Sequence, residues 1–407
     1  MKRYQAEDDV ELLESLEEAT LVPNPQKQAP NARKLASVRD FGRRHLPEAG
    51  GCLRWDRPAA ELSALVPARE FEPHRANPPG VAKIRLPGRV VRVGRLEVLP
   101  TRSGMAAGTL LEIGPDYWRV ATSSADVVVA KLSGLTGEPV VAGDLARELR
   151  LSATEVLPVL SEQDARVLEE VYAAAAEHEE VWVHQLERYR LLSLPFAGPA
   201  SGKVRWRVSP WREIEALAGL DPTPRVEHLL AVWVLYLART TGETKIQLGW
   251  GAEVPRSPLL AGLLAPVVPL EVEIDLDRTF AEVRPDIVEV CARAMAAGSY
   301  RQDLLTQVPQ LRRIEELRRP FPWDVAVGVI EGGSGDWSKD VDRGALGGTV
   351  TLQIRAGDGA ARWIHDPARV ASEQVERMTG HLATLAWEAL NPASREVSVR
   401  RLNLLPR

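Results

Sequence analysis

The residues suited to acid–base chemistry are histidines, and they are scattered along the chain at His45, His74, His178, His184, His228, His365 and His381. None of them stands beside another histidine. Asp366 follows His365, and an imidazole oriented by a carboxylate forms the usual acid–base pair. Adjacent residues on a strand, however, point to opposite faces, so we interpret this pair as structural. The sequence predicts no catalytic residue.

The sequence also gives little evidence for a metal site or a phosphate site. The run Glu177–Glu180, which contains His178, offers carboxylate and imidazole ligands, but consecutive helix positions diverge, which favours a solvated face. The glycine run Gly332–Gly335 lacks the Lys and Ser/Thr of a phosphate loop. Cys52 and Cys291 stand far apart and without clustered histidines, so neither a disulfide framework nor a zinc site is expected. We predict no metal and no cofactor.

Composition points to a globular protein. Of the 407 residues, 45% are hydrophobic and 26% charged, which suits two or three domains. There is no secretory apolar segment near Met1 and no long apolar run, so we expect a cytoplasmic location. The net charge of −5 is uneven, because residues 27–102 hold 16 Lys/Arg and 7 Asp/Glu, a local +9 that leaves −14 for the rest. Such asymmetry can mark an anion-binding face, although a solvated surface is the commoner reason.

The stretch Thr223–Val272 is the strongest fold signal. Its helix, predicted over Arg225–Thr240, is apolar on nearly every face and therefore belongs inside a domain. Gly242 ends it. We predict that Trp233, surrounded by leucines within one helical turn, is completely enclosed. Trp250 lies between two glycines, which predicts a turn and a smaller loss on truncation.

The chain before this stretch changes character twice. Met1–Glu18 predicts a short acidic amphipathic helix, Leu21–Leu46 a basic linker with several prolines, and Asp56–Arg69 a second helix. Short strands separated by Gly, Pro, Ser or Asp then predict a small antiparallel β-barrel. These strands are predicted at Ala82–Leu86, Val90–Leu99, Gly108–Ile113, Tyr117–Thr122 and Val127–Leu132.

The second half of the chain combines longer helices with strands, which implies a layered α/β core. Helices are predicted at Asp164–Tyr189, Thr279–Ala296, Asp303–Leu317 and Glu373–Leu390. Strands are predicted at Lys203–Val208, Lys245–Leu248, Val267–Ile274, Val325–Glu331, Thr349–Ile354 and Ala361–His365. Gly332–Gly348 is predicted to be a flexible loop.

Residues in the first half resemble the methionyl-tRNA formyltransferase family, in its linker and C-terminal barrel domain. The resemblance reaches to about Val141 and is carried by Ala32–Leu35, Leu53–Leu62 with its Trp-Asp-Arg-Pro-Ala block, Phe71–Pro73 and Gly108–Leu111. It implies a barrel of the kind that helps to hold tRNA in that family. The family's catalytic domain precedes the barrel and uses an Asn, a His and an Asp. Only Met1–Thr20 precedes the linker here, so no formyl-transfer residue is carried over.

A second resemblance covers about Glu177–Pro406. It is to the C-terminal lobe of condensation domains from nonribosomal peptide synthetases, whose fold is related to chloramphenicol acetyltransferase. It is carried in order by Val181–Leu186, Leu194-Pro195, Thr223-Pro224 with the helix to Gly242, Gly262–Leu270, Phe280, Asp303 and Leu402–Pro406. The last of these resembles the join to an adenylation domain.

The catalytic features of the condensation family are altered in this sequence. Its His-His-x-x-x-Asp-Gly motif belongs to an N-terminal lobe, which the barrel replaces here. Pro266 stands where the family has Asn, and Glu271 where it has the Arg that pairs with the motif's Asp. A Glu there would set two carboxylates together, which penalises ionisation. The resemblance therefore implies a lobe that has lost catalysis.

Together these patterns predict a multidomain α+β chain. Residues 1–54 form an N-terminal helix and basic linker, 55–142 a formyltransferase C-terminal-like β-barrel, and 143–160 a connector. Residues 161–407 form an α/β sandwich lobe of the chloramphenicol acetyltransferase-like condensation fold.

The resemblances predict a non-catalytic scaffold in the loading, formylation-initiation region of a nonribosomal peptide synthetase. Its partners would be an N-terminal formyltransferase domain and the adenylation and carrier domains; no membrane contact is expected. Two alternatives stay open. One is an acyltransferase or condensation lobe completed by a partner domain. The other is an RNA- or anion-binding barrel module that uses the basic region.

Overall fold

The computed structural model describes residues 47–66, 82–199, 204–254, 257–331 and 344–405. The predicted helix Met1–Glu18, the linker Leu21–Leu46 and the glycine run Gly332–Gly335 lie outside these ranges. Within them the chain forms two sheets, one antiparallel and one mixed, each with its own helices. The predicted α+β class is confirmed.

The first sheet has five antiparallel strands: β1 Lys83–Leu86, β2 Arg89–Val98, β3 Leu110–Ile113, β4 Tyr117–Val120 and β5 Val127–Ser133. Their spatial order is β1-β2-β5-β4-β3. Two helices accompany the sheet, α1 Ala59–Ala64 and α2 Ala142–Leu149. We call β1–β5 with α1 and α2 the antiparallel unit.

The described strands of the antiparallel unit form a half-barrel, whereas the sequence predicted a closed one. β1 and β3 lie at opposite edges, and each pairs with an irregular segment instead of with the other. The Leu53 N–H donates to the Lys83 carbonyl (2.8 Å), and the Leu110 N–H donates to the Glu155 carbonyl (2.8 Å). Since both edges already have these partners, neither edge has to be closed by the other.

Two tryptophans fill the core of the antiparallel unit, Trp55 and Trp118, both buried. Gly94 of β2 lies close to Lys131 of the neighbouring strand β5. A Cβ built at Gly94 would lie 2.9 Å from the Lys131 carbonyl oxygen, so only glycine permits this close approach. Helix α1 ends before the predicted Arg69, because Pro67 disfavours the helical conformation just before it.

The second sheet has six strands: β6 Arg207–Val208, β7 Lys245–Gly251, β8 Val267–Glu273, β9 Val325–Ile330, β10 Val350–Arg355 and β11 Ala361–His365. Their order is β6-β11-β10-β9-β7-β8, with β9 parallel to β7 and β10 and the other pairs antiparallel. The helices are α3 Glu162–Glu177, α4 Glu179–Glu187, α5 Pro222–Thr241, α6 Phe280–Ala297, α7 Leu304–Gln307 and α8 Ser372–Leu390. We call β6–β11 with α3–α8 the mixed unit.

Helix α5 is the centre of the mixed unit, as the sequence predicts. It begins at Pro222, slightly before the predicted start, because proline is favoured at the first helical position. It ends at Gly242, whose φ of 78° suits glycine. Every residue from Leu229 to Ala238 is buried, and α5 packs against α6, α8 and β7. No helix within the described ranges has the length and apolar character to cross a bilayer.

Trp250 corrects one sequence prediction. It lies in strand β7, not in a turn, and only 3% of it is exposed. Its side chain shares the helix-covered face with Leu248. The flanking glycines lie on the other face, where a Cβ at Gly251 would come within 2.7 Å of Leu346 Cδ1. These glycines therefore permit a close approach to the strand and do not mark a turn.

Two predicted helices are interrupted. The prediction over Asp303–Leu317 becomes the short helix α7 followed by two 3₁₀ turns. Pro309 disfavours helical backbone at Val308, whose φ and ψ are −91° and 116°. The prediction over Asp164–Tyr189 becomes α3 and α4, which meet at His178. The predicted hairpin-like pair of β10 and β11 is confirmed as antiparallel.

Candidate functional site: the junction between the two units

The two units share one apolar cluster where they meet. Its residues come from both sides of the junction: Ala49, Cys52, Val90, Leu135, Leu160, Ala165, Leu168, Tyr172, Leu260 and Leu263. All of them are buried. The two units are therefore packed together through this buried apolar cluster, and they are not merely tethered by a linker.

An ion pair lies buried beside this apolar cluster. The Lys83 Nζ is 2.7 Å from the Asp303 Oδ2, and both side chains are fully excluded from solvent. Lys83 also donates to the Gly50 carbonyl at 2.8 Å. With Tyr172 and Arg301 these two charged residues form what we call the junction cluster. Because charges in an apolar interior are costly unless paired, Lys83 and Asp303 require each other.

Local structure places these side chains. Lys83 begins β1, at the edge that faces the mixed unit. Asp303 precedes α7, and its backbone carbonyl accepts the N–H groups of Thr306 (3.0 Å) and Gln307 (3.1 Å). Arg301 lies two residues earlier in an extended segment that pairs with Leu264. Asp303 and Arg301 are therefore held by backbone hydrogen bonds and not by the side chains alone.

Tyr172 of α3 stacks against the cations of the cluster. The Lys83 Nζ lies 5.0 Å and the Arg301 Cζ 5.6 Å from the centroid of its ring, distances typical of cation–π contacts. Gly50 lies against the same ring with φ 63°, and a Cβ there would sit 3.1 Å from the ring atoms. Glycine is thus required at position 50 for both its conformation and its close contact.

The electrostatics of the junction cluster favour a structural role. Burial on its own would raise the pKa of Asp303, but Lys83 and Arg301 hold the pKa of that carboxyl below its usual value. Burial raises the pKa of the neighbouring Cys52 thiol to about 11, an effect that Lys83 partly offsets. Burial also raises the pKa of Tyr172 well above its ordinary value. At neutral pH the carboxylate is ionised, and Cys52 stays a thiol without the thiolate character of a nucleophile.

Ionic contacts continue outward from the junction cluster. The Arg301 Nη2 donates to the Glu179 Oε2 of α4 at 2.6 Å. Arg54, which is 4% exposed, reaches the Glu162 Oε1 at the start of α3, 2.7 Å away. The Arg85 Nη2 donates to a mixed-unit backbone carbonyl at 2.9 Å. The junction is therefore polar at its rim as well as ion-paired at its centre.

The predicted His365–Asp366 pair is buried at the end of β11, with both residues 3% exposed. The Asp366 Oδ1 accepts the Ala368 N–H at 3.1 Å and so supports a turn. The His365 Nε2 lies 3.5 Å from the Ser372 Oγ, and burial lowers the pKa of the imidazole. This arrangement fits the structural interpretation of the pair.

The acidic run Glu177–Glu180 lies where α3 and α4 meet. Glu179 is engaged with Arg301, and among the described residues no group of three His, Cys, Asp or Glu is arranged to hold a metal ion. Of the other histidines, His45 and His74 lie outside the described residues, while His228 and His381 have separate neighbours. The His228 Nδ1–H donates to the Pro224 carbonyl (2.8 Å), and the ring centroids of His381 and Tyr236 are 5.9 Å apart.

Glu271, which replaces the arginine of the condensation pattern, lies on β8 at the margin of an open groove. The groove is lined by Glu187, Arg188, Tyr189, Arg190, Lys245 and Glu271. The Glu271 Oε1 is 3.3 Å from the Lys245 Nζ and 3.9 Å from the Arg188 Nη1. In this chain Glu271 therefore faces two cations, not the second carboxylate that the sequence comparison suggested.

The residues of the junction cluster were not singled out in the sequence. One signal in the sequence points to them. Lys83 lies between Ala82 and Ile84 in a predicted strand, and a lysine in such a strand is expected only on the solvent-exposed face. Its partner Asp303 is 220 positions away, beyond the reach of any periodic pattern.

Comparison with known proteins gives structural similarities only: no family model and no curated protein matches the chain. The starter condensation domain of rhizomide synthetase is 15% identical, with 72% of this chain and 73% of that one covered at a TM-score of 0.42. The first condensation domain of the CDA synthetase is 14% identical, covering 71% and 70%, with a TM-score of 0.43. The X-domain in complex with OxyB from teicoplanin biosynthesis is 13% identical, covering 70% and 72%, with a TM-score of 0.40. None of these three is a formyltransferase.

Proposed function

We propose that the chain is a non-catalytic scaffold segment in the loading region of a nonribosomal peptide synthetase. It would position a formyltransferase domain, an adenylation domain and a carrier domain relative to one another. The residue patterns quoted above motivate the choice of partners. The observation that carries the scaffold role is the fully buried Lys83–Asp303 pair between the two units.

A scaffold must keep a fixed angle between its attachment points, whereas domains joined through small polar interfaces move by default. Sliding or opening this junction would separate Lys83 from Asp303 inside an apolar environment. Leaving one buried charge unpaired costs about 3–5 kcal/mol. The junction therefore has one strongly preferred arrangement, as a rigid spacer needs.

The surroundings of Glu271 support the non-catalytic part of the proposal. In the condensation pattern the corresponding arginine pairs with an aspartate of the catalytic lobe. Here Lys245 and Arg188, both of this chain, already face the Glu271 carboxylate. Glu271 thus replaces the cation with which that aspartate pairs, and its own charge is met by two cations of this chain.

The test compares the intact synthetase with a variant whose junction is broken by Lys83→Ala. Amino-acid activation, measured by the ATP–pyrophosphate exchange assay, should be unchanged. Formation of the formylated, carrier-bound starter unit should decrease. The matched control is Arg95→Ala, which breaks the exposed Arg95–Glu97 pair in the same unit. Unchanged starter formation in the Lys83→Ala enzyme, with the junction shown to be loosened by hydrogen exchange, would refute the scaffold role.

A further inference from the structure

Arg92 of strand β2 lies beside the junction cluster. It stands directly opposite Lys83 in the antiparallel pairing of β1 and β2. Side chains that are directly opposite each other across such a pair lie on the same face of the sheet. Because the Lys83 side chain reaches Asp303 of the mixed unit, the Arg92 side chain also points towards the mixed unit.

Arg312 approaches the same place from the mixed unit. Its Nε donates to the Thr306 carbonyl at 2.5 Å. The Thr306 Oγ1 lies 3.4 Å from the carbonyl oxygen of Leu135, in the loop that follows β5 of the antiparallel unit. The last residue of β5, Ser133, is opposite Arg92 in the pairing of β2 and β5. These contacts place Arg312 next to the end of β5, beside Arg92.

The two guanidinium groups lack an anionic partner. Among the described residues no ion pair includes Arg92 or Arg312, and the Arg92 Nε and the Arg312 Nη2 are buried without a hydrogen-bond partner. Of the carboxylates nearby, Asp303 belongs to the buried ion pair, and the exposed Glu138 accepts a hydroxyl of its own loop at 2.6 Å. Since a buried donor without an acceptor is unfavourable, this arrangement calls for an acceptor that the described protein groups do not supply.

The positive charges here also act on one another. Burial lowers the pKa of Arg92, and the nearby charge of Arg312 lowers it further. Asp303 and Glu138 act in the opposite direction. Arg318 brings a third guanidinium, because its Nη2 donates to the Arg312 carbonyl. An arginine keeps its proton at any ordinary pH, so only an added negative charge can relieve this repulsion.

We propose that Arg92 and Arg312 bind a phosphate group between them, at the rim of the junction. Both side chains are partly exposed, so the ligand can enter from solvent. A guanidinium presents its N–H donors as a planar fork that matches the oxygens of a phosphate. The bound group would bridge β2 of the antiparallel unit and the 3₁₀ turn Leu311–Arg313 of the mixed unit. This binding does not depend on the scaffold role, because it uses neither member of the Lys83–Asp303 pair.

Inorganic phosphate is the first probe of the site. At constant ionic strength, replacing sodium chloride with sodium phosphate should raise the Tm of the full chain until the site is saturated, because a ligand that binds the folded state stabilises it. Titration calorimetry should give one phosphate per chain. If sodium chloride of the same ionic strength raised the Tm equally, the effect would be general screening, and the proposal would be overturned.

Three variants locate the binding. Arg92→Glu puts a carboxylate beside Arg312, so it should weaken phosphate binding at least tenfold while its Tm in chloride is no lower than that of the unaltered chain. Arg312→Met should weaken binding to a similar extent, and it provides a second reading if Arg92→Glu folds poorly. The control Arg95→Glu changes an exposed arginine of the same strand and should keep the full phosphate effect. Unweakened phosphate binding in Arg92→Glu and in Arg312→Met would overturn the proposal.

Glycerol 2-phosphate, a phosphate monoester, distinguishes the two sources of the ligand. Binding at least as tight as that of inorganic phosphate would support the site and assign it to the phosphate group of a larger molecule. Binding of inorganic phosphate alone would support the site and assign it to the free ion. Failure of both probes to bind would overturn the proposal.

Discussion

Removal of one partner of the Lys83–Asp303 pair should destabilise the protein far more than removal of both. Lys83→Met keeps the aliphatic stem of the lysine but leaves the Asp303 carboxylate buried without its cation. Because both side chains are fully excluded from water, screening by solvent gives little relief. The expected loss in the free energy of unfolding is about 3–5 kcal/mol, and Asp303→Leu should lose a similar amount.

The double variant Lys83→Met/Asp303→Leu separates the pair's interaction from the cost of burial. Apolar residues of similar volume replace a buried ion pair at little cost, so the double variant should lie within about 1 kcal/mol of the unaltered chain. The coupling free energy from this double-mutant cycle should then be at least about 5 kcal/mol, because the two single losses sum to about 6 kcal/mol or more. Arg95→Met, in the exposed pair with Glu97, is the control and should cost less than about 1 kcal/mol.

Guanidinium denaturation measures each free energy of unfolding. Comparison of unfolding curves recorded at several wavelengths, together with thermal unfolding followed by calorimetry, tests whether the two units unfold together. Single losses below about 1 kcal/mol would refute the view that these charges need each other. A double variant whose loss equals the sum of the two single losses would refute it too, because the residues would then act independently.

Three further outcomes are expected. Lys83 and Arg301 hold the pKa of Asp303 lower in the folded chain than in the unfolded chain. The Asp303 carboxylate therefore contributes its full stability above the unfolded-state pKa, and this contribution is lost as the pH falls through the folded-state pKa. Unfolding curves measured between about pH 5 and pH 2 should show this loss of stability, and the Lys83→Met/Asp303→Leu variant should not show it. Trp233→Ala and Trp250→Ala should each lower the free energy of unfolding, measured in thermal melts, by about 3–5 kcal/mol, because both side chains are buried. Trp387→Ala is the control and should lower it clearly less, because Trp387 is 44% exposed. A small loss for Trp250→Ala would contradict its buried position in β7 and favour the turn that the sequence predicted. The chain alone, given a formyl-folate donor and carrier-bound aminoacyl substrates, should form neither formylated nor condensed product, and product above the buffer control would contradict the non-catalytic proposal.

The local sequence determined the helices and strands whose formation depends only on residues close together in the chain. Helix α5 follows from an apolar run too continuous for a surface helix, with Pro222 at its start and Gly242 at its end. The strands of the antiparallel unit follow from β-branched alternation broken by turn residues. In each case neighbouring residues supply both the propensity and the boundary, so the elements were predictable without their surroundings.

Tertiary structure decided what depends on residues far apart in the chain. The glycines beside Trp250 predicted a turn, but their reason is the approach of Leu346 and Val267 to β7, which no local pattern contains. The half-barrel stays open because Leu53 and Glu155, outside the predicted strands, pair with its edges. Lys83 is tolerated in an apolar strand only because Asp303 reaches it from 220 residues away, and a buried charge is stable only when such a partner is in place.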